Sequence, residues 1–233
     1  MASKRYEQAA TLVDHKRAYA LEGAVALLKD MPKAKFDETV ELSIALGIDP
    51  KKTDQAIRGT VLLPHGTGTT RRVIVFCKGE DVVVAKQAGA EHVGAGDLIE
   101  KIQNGWLEFD VAVATPDLMK EVSRLGKILG PRGLMPNPKA GTVTGDVAKA
   151  VAEVQQGKIE IKMDKLANLH LVVGKLSFQV LQLMENARAV IEAVLRAKPS
   201  SVKGQFIRRV SLSSTMSPGI SVDLAPFLEE DTE

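Results

Sequence analysis

Apolar and polar residues change their spacing twice along this chain, and each change marks a different kind of element. In the first stretch, Leu21–Asp30 (LEGAVALLKD) carries apolar residues at helical spacing and stops ahead of Pro32, which predicts a short amphipathic helix. Val40, Leu42, Ile44 and Leu46 then alternate with Thr39, Glu41, Ser43 and Ala45, the period of a half-buried strand, and Arg58–Leu63 predicts a second one. From residue 158 the same pattern returns. KIEIKMD alternates through Ile159, Ile161 and Met163, LHLVVGKL gives another strand, Val180–Ala197 is an amphipathic helix ended by Lys198-Pro199, and FIRRVSLS makes a last strand. Both flanks read as antiparallel α+β.

Between the flanks the strands are continuous apolar runs separated by helical patterns: RRVIVFC, the helix EDVVVAKQAG, a short strand around His92-Val93, the helix DLIEKIQNG, the strand FDVAVA, and the helices PDLMKEVSRL and DVAKAVAEVQQ. Such an order predicts a parallel sheet covered on both faces. Neither flank alone has enough strands to close a core. The expected architecture is therefore α/β with two domains: a discontinuous α+β base domain with an antiparallel sheet, residues 1–67 and 158–233, and an inserted doubly wound, Rossmann-like domain, 68–157. The crossings LPHGTGTT (63–70) and QQGK (155–158) carry Gly66, Gly68 and Gly157, and two adjacent glycine-bearing crossings suit a hinge.

Composition sharpens this picture in a few places. The 233 residues suit one large domain or two ordinary ones, and a 45% hydrophobic content supplies ample core. No run of about 18 apolar residues occurs and MASKRYEQ lacks an apolar segment after its charges, so the expectation is a cytoplasmic protein without membrane span or secretory signal. The single cysteine, Cys77, lies in an apolar run and reads as a buried structural thiol. Net charge is only +2, but Glu229, Glu230, Asp231 and Glu233 close the chain, and without those four acids the remainder carries +6. Residues 68–157 hold eleven Lys/Arg against eleven Asp/Glu, so the basic excess lies wholly in the flanks. Aromatics are scarce at 4%, which leaves charge and shape rather than base stacking to carry any nucleic-acid contact.

A doubly wound domain raises the alternative of a nucleotide-using enzyme, since such sheets bind ligands at the carboxyl ends of their strands. The glycines are misplaced for it. VIVFC is followed by Lys78-Gly79-Glu80, Gly66-Thr67-Gly68 precedes the strand, Gly94-Ala95-Gly96 lacks a third glycine, and GxxxxGK[ST] is absent. His15, His65, His92 and His170 are isolated, no His or Cys pair has metal-ligand spacing, and there is no GxSxG elbow or carboxylate pair. No enzyme, metal or cofactor is expected.

Three base-domain stretches carry candidate chemistry. Lys33-Ala34-Lys35-Phe36 places cations and an aromatic ahead of the first strand, either as a binding surface or as a solvated turn with one core Phe. Arg208 and Arg209 lie on the last strand, where strict alternation sends them to opposite faces; Arg209 is the candidate, because it shares its face with Ser211 and Ser213. Ser213–Gly219 (SSTMSPG) ends that strand as a hydroxyl-rich turn, ordinary or able to offer donors to phosphate and 2′-OH groups. In the inserted domain, GPRGLMPNPKAGTV (130–143) admits three readings: a phosphate cradle, a nucleic-acid clamp through Arg132 and Lys139, or a loop stiffened by Pro131, Pro136 and Pro138 that limits how the domains open. The prolines favour the stiff loop.

KFDETVELSIALGID (35–49), RGTVLLPHGTG (58–68), LGKILGPRGLMPNPKAGTV (125–143) and STMSPG (214–219) together resemble the bacterial large-subunit ribosomal protein L-one family, the stalk proteins beside the tRNA exit site, from the N-terminus to about residue 224. The resemblance implies a non-enzymatic component of the large ribosomal subunit that binds large-subunit rRNA of the stalk region, assists release of deacylated exit-site tRNA, and represses its own operon by binding a mimicking mRNA. It implies a cytoplasmic ribosomal location and a monomer when free. Carried over by motif, the RNA surface includes Lys35, Phe36 and Thr39, then Asp164, Lys165 and His170 around a central hairpin, and Thr215, Met216 and Ser217 in the final turn; Lys33, Arg209 and Ser211 join it from the reading above. Two departures stand out. Ser217 occupies a usual glycine position, where a side chain would crowd approaching RNA, and the usual Asn-Asp-Lys-x-Gly turn reads Met163-Asp164-Lys165-Leu166-Ala167, without its glycine.

Overall fold

The elements in chain order are α1 Lys4–Thr11, α2 Leu21–Asp30, β1 Thr39–Leu46, β2 Arg58–Leu62, β3 Val73–Phe76, α3 Asp81–Gln87, β4 His92–Gly94, α4 Gly96–Gln103, β5 Val111–Ala114, α5 Met119–Val122, α6 Gly126–Leu129, α7 Val147–Gln155, β6 Lys158–Lys162, β7 Asn168–Lys175, α8 Val180–Arg196, β8 Ile207–Ser214, β9 Ile220–Val222 and α9 Ala225–Glu229. They come from a computed structural model that describes residues 3–202 and 204–229. The acids Glu230, Asp231 and Glu233 lie outside the described residues. The described residues up to Gly68 and from Ile159 onward pack as one unit, and Thr69–Lys158 as another.

The first unit is built on a four-stranded sheet in the order β7-β1-β8-β9, antiparallel throughout. Alternation in β1 buries Val40, Leu42, Ile44 and Leu46 on one face, where α2 and α8 cover them. α8 buries Leu183, Ala187, Val190, Ile191 and Val194, a stripe at helical spacing. β2 and β6 pair separately, so the flanks hold two sheets, and β9 adds a strand after FIRRVSLS, which is therefore not the last. Asn186 of α8 is fully buried; its amide accepts from the His65 N–H at 3.0 Å and donates to the carbonyls of Gly66 at 3.0 Å and Val173 at 2.7 Å. Those bonds hold Gly66 within this unit. At Gly68 the backbone is left-handed (φ +75°), and an added Cβ would come within 2.8 Å of the Phe178 ring.

The second unit has the parallel sheet β4-β3-β5. β3 is buried along its whole length, with Ile74 and Phe76 in the cluster of α4 and the 118–129 segment, and Val73 and Val75 in the cluster of α3 and α7. The mixed α/β architecture, an antiparallel sheet and a separate parallel one covered on both faces, is the one expected. Cys77 sits in the α3–α7 cluster, 1% exposed, and burial pushes its thiol pKa up. PDLMKEVSRL does not form one helix: 3-10 turns at Pro116–Leu118 and Ser123–Leu125 alternate with α5 and α6. Gly126 and Gly130 punctuate the segment, while Leu118, Val122, Leu125 and Leu129 still bury one face.

Candidate nucleic-acid interface

Glu38 organises the ground around the first strand. Its side chain is 2% exposed, and its carboxylate accepts from the Ala34 N–H at 2.7 Å, the Ser214 hydroxyl at 2.6 Å and the Met216 N–H at 3.0 Å, with Arg5 Nη1 at 3.6 Å. Arg5 also donates to the carbonyls of Pro32 and Met216, both at 3.2 Å. A carboxylate with this many charge-assisted donors offsets its own desolvation. Burial alone would raise the Glu38 pKa, but the bonds from Ser214, Ala34 and Met216 and the charge of Arg5 together hold it below the ordinary range.

This buried charge clasps two segments 176 residues apart, and Thr39 adds to the clasp: its N–H donates to Thr215 Oγ1 at 3.0 Å, and its own Oγ1 accepts from Lys175 Nζ at 2.9 Å. Lys33, Lys35, Phe36, Thr39, Thr215, Met216 and Ser217 are thereby brought to one end of the sheet. The hydroxyls there do not all face outward as the turn sequence suggested. Ser214 is bound to Glu38 and Thr215 to Thr39, and the Ser217 hydroxyl accepts from the Ser214 N–H at 2.8 Å, closing the turn. What protrudes instead is apolar: Phe36 is 55% exposed and Met216 48%, bordered by exposed Lys33 and Lys35.

From this end the sheet presents its second, half-exposed face. Register places His170, Ser43, Ser211 and Ser221 in one row across β7, β1, β8 and β9, with Ser43 and His170 Nδ1 3.2 Å apart, and Glu41 opposite Ser213 in the next row. Ser43, Glu41 and Ser221 were not among the expected residues, although the alternation of β1 already put the first two on the polar face. Asp164 and Lys165 lie at the far end of the sheet, in the β6–β7 turn, and not with Phe36. Asp164 accepts from the N–H groups of Asn168 at 2.7 Å and Leu166 at 2.8 Å; chiefly the bond from Asn168 keeps its pKa below the usual aspartate range. The missing glycine is replaced by Ala167 in the left-handed region, φ +62°, a conformation that costs a non-glycine residue about 1–2 kcal/mol. Asp164 ties the turn in that shape.

Arg208 and Arg209 break the expected alternation. β8 pairs Ala45 with Arg209 but Leu46 with Ile207, so Arg208 is the extra residue of a β-bulge. Both arginines are exposed, and both line the same cleft.

The 130–143 loop belongs to the second unit. Its Val143 bridges Ala114 beside β5, Asn137 Oδ1 accepts from the Lys139 N–H at 2.9 Å, and Thr142 Oγ1 accepts from the Asn137 N–H at 2.8 Å. Pro136 is buried, and Arg132 and Lys139 are exposed. Gly157 is left-handed (φ +103°), its N–H bonded to Val154 after α7. After β3, the turn Lys78-Gly79-Glu80 leads into α3 with Glu80 and Asp81 at the helix start, an acidic place for a phosphate. Among the described residues no three His, Cys, Asp or Glu side chains gather to hold a metal, and no helix is long and apolar enough to cross a membrane.

Comparison with known proteins agrees in kind. Residues 28–218 match the ribosomal protein L1p/L10e family. The chain is 55% identical over 221 residues to large ribosomal subunit protein uL1 of Thermobifida fusca, covering 95% of this chain and 94% of that one. The uL1 of Kosmotoga olearia is 55% identical over 227 residues, covering 97% and 98%. That of Saccharopolyspora erythraea is 56% identical over 221 residues, covering 95% and 93%.

Proposed function

The chain belongs to the ribosomal protein L1p/L10e family and is a structural, non-enzymatic component of the large ribosomal subunit, and from that premise we propose that it binds large-subunit rRNA through the polar face and the Glu38-clasped end of its antiparallel sheet. The observation that carries this reading is the clasp itself. A buried carboxylate fixes two distant segments so that Phe36 and Met216 stand out of a rim of cations. Two apolar side chains on a rigid base, beside lysines and a row of serines, suit an RNA surface read by shape, 2′-hydroxyls and phosphates, with a few unstacked bases packed on the aromatic.

In this reading Lys33, Lys35 and Arg209 neutralise phosphates, and Ser211, His170 and Thr39 border the sugar edges. Asp164 and Lys165 meet RNA at the far end of the sheet. The second unit, Thr69–Lys158, carries the stalk function: contact with exit-site tRNA and help in its release, with Arg132 and Lys139 as transient contacts and the crossings near Gly68 and Gly157 as the hinge. The same RNA surface binds the protein's own mRNA and represses its translation.

The test is titration of a stalk-region rRNA fragment with wild type, Phe36→Ala and Met216→Ala. With about 4–6 phosphates neutralised, log K falls with log[salt] at a slope of roughly −3 to −5, and each variant binds at least about tenfold more weakly. Salt-independent binding, or two variants as tight as wild type, refutes the assignment.

A further inference from the structure

We propose a second phosphate-binding site on this chain, a basic cleft formed by the loop His15–Arg17 and the bulge Arg208–Arg209, which holds the RNA backbone beyond the far end of the sheet. The inference rests on the RNA-binding reading above and shares Arg209 with it, but adds His15, Lys16, Arg17 and Arg208.

The cleft is an open groove of about 450 Å³. Lys16, Arg17, Arg208 and Arg209 line it together with His15, against one acid, Asp223, whose Oδ1 already accepts from the Ala225 N–H at 3.1 Å. Four cations to one acid in one cleft exceeds the net +2 of the whole chain. Among the described residues no carboxylate forms an ion pair with any of these four cations. Cations that line one cleft give it a positive potential, which favours an anion there.

Local bonds fix the backbone that carries Lys16 and Arg17. Asp14 Oδ1 accepts from the Lys16 N–H at 2.9 Å, and the Tyr19 hydroxyl accepts from the Asp14 N–H at 3.0 Å. The Arg17 guanidinium lies 5.4 Å from the Tyr19 ring centroid, and Tyr19 is bridged to Val222 beside β9. Without the bulge, one arginine of β8 would turn to the covered face; the extra residue sends both outward. Ser221 and Arg209 belong to the cleft and also to the polar face, so a polyanion crossing that face runs into the cleft. From Arg209 to Thr215 is six residues of strand and turn, about 20 Å, more than a single phosphate group spans. The fitting ligand is therefore a phosphodiester chain.

The experiment measures binding of the full chain to the stalk-region rRNA fragment and to an unrelated hairpin of equal length, over a range of salt. Lys16→Gln/Arg17→Gln and Arg208→Gln/Arg209→Gln are each expected to weaken both affinities about tenfold and to flatten the log–log salt slope by about 1.4–1.8. Discrimination between the two RNAs stays unchanged, because phosphate contacts position without specifying. Arg208→Lys/Arg209→Lys keeps the charge and restores the slope, which separates loss of charge from loss of fold. Lys86→Gln/Lys101→Gln, exposed in the second unit, serves as the control. If the cleft variants follow that control on both RNAs, the site is refuted. If wild type does not prefer the rRNA fragment, the rRNA reading fails instead, and the hairpin slopes still decide the cleft.

Discussion

Replacing Glu38 by glutamine tests the clasp most directly, because it keeps shape and removes one acceptor oxygen and the charge. The carboxylate accepts on Oε1 from Ala34 and on Oε2 from Ser214 and Met216. A glutamine can serve only one side; its less costly orientation points the amide at Ala34, where two N–H donors then face each other and Arg5 loses its counter-charge. A hydrogen bond to a charged group is worth about 1.5–3 kcal/mol, and a buried donor left unpaired costs about 1–3 more, so about 3 kcal/mol is expected. For a protein of this size that lowers Tm by roughly 6–12 °C. The 32–38 segment loosens from the 214–217 turn, and rRNA affinity falls at least about tenfold. The acid limb changes as well. Glu38 has a folded pKa below its unfolded value, so its contribution is fully present above about pH 4.3 and is lost as pH falls through the folded value. Stability of wild type therefore drops more steeply below pH 4.3 than that of Glu38→Gln. Thermal melts at pH 7 and across pH 3–5, with RNA titration at pH 7, measure all three. A variant that melts within about 2 °C of wild type and binds RNA equally well refutes the clasp.

Two other buried groups give independent checks. Asn186→Leu removes three bonds that α8 makes to residues 65, 66 and 173 and leaves the His65 N–H and two carbonyls without their partner, which should cost about 2–4 kcal/mol in denaturant unfolding; a loss below about 0.5 kcal/mol would contradict this. Cys77, buried and with its thiol pKa raised, should react with a thiol reagent only at the rate of unfolding, so rapid labelling of native protein at pH 8 would contradict its placement in the α3–α7 cluster.

Periodicity alone determined most of the elements and their faces. Val40, Leu42, Ile44 and Leu46 could only turn one way, because side chains alternate along a strand, and that same alternation fixed Glu41 and Ser43 on the polar side. Continuous apolar runs identified the buried parallel strands, since a strand covered on both faces has no polar side to show. The family was legible too, in four separated motifs. The site residues near Phe36 and Met216 were named from those motifs, but not the reason they stand together.

That reason is tertiary. Glu38 reads as one more polar residue before a strand until Ser214 and Met216 arrive beside it, and a buried carboxylate exists only because donors from both segments replace its water. The hydroxyls of Thr215 and Ser217 look available in sequence, yet a turn must satisfy its own backbone, and they are spent there. The bulge at Arg208 follows from the register of β8 against β1, a non-local property that local alternation cannot encode. Ala167 likewise takes a glycine's conformation because Asp164 and the hairpin around it enforce it. The sequence thus settled which face each strand shows; which distant residues share a charge, and where a strand departs from its period, was decided when the sheet closed.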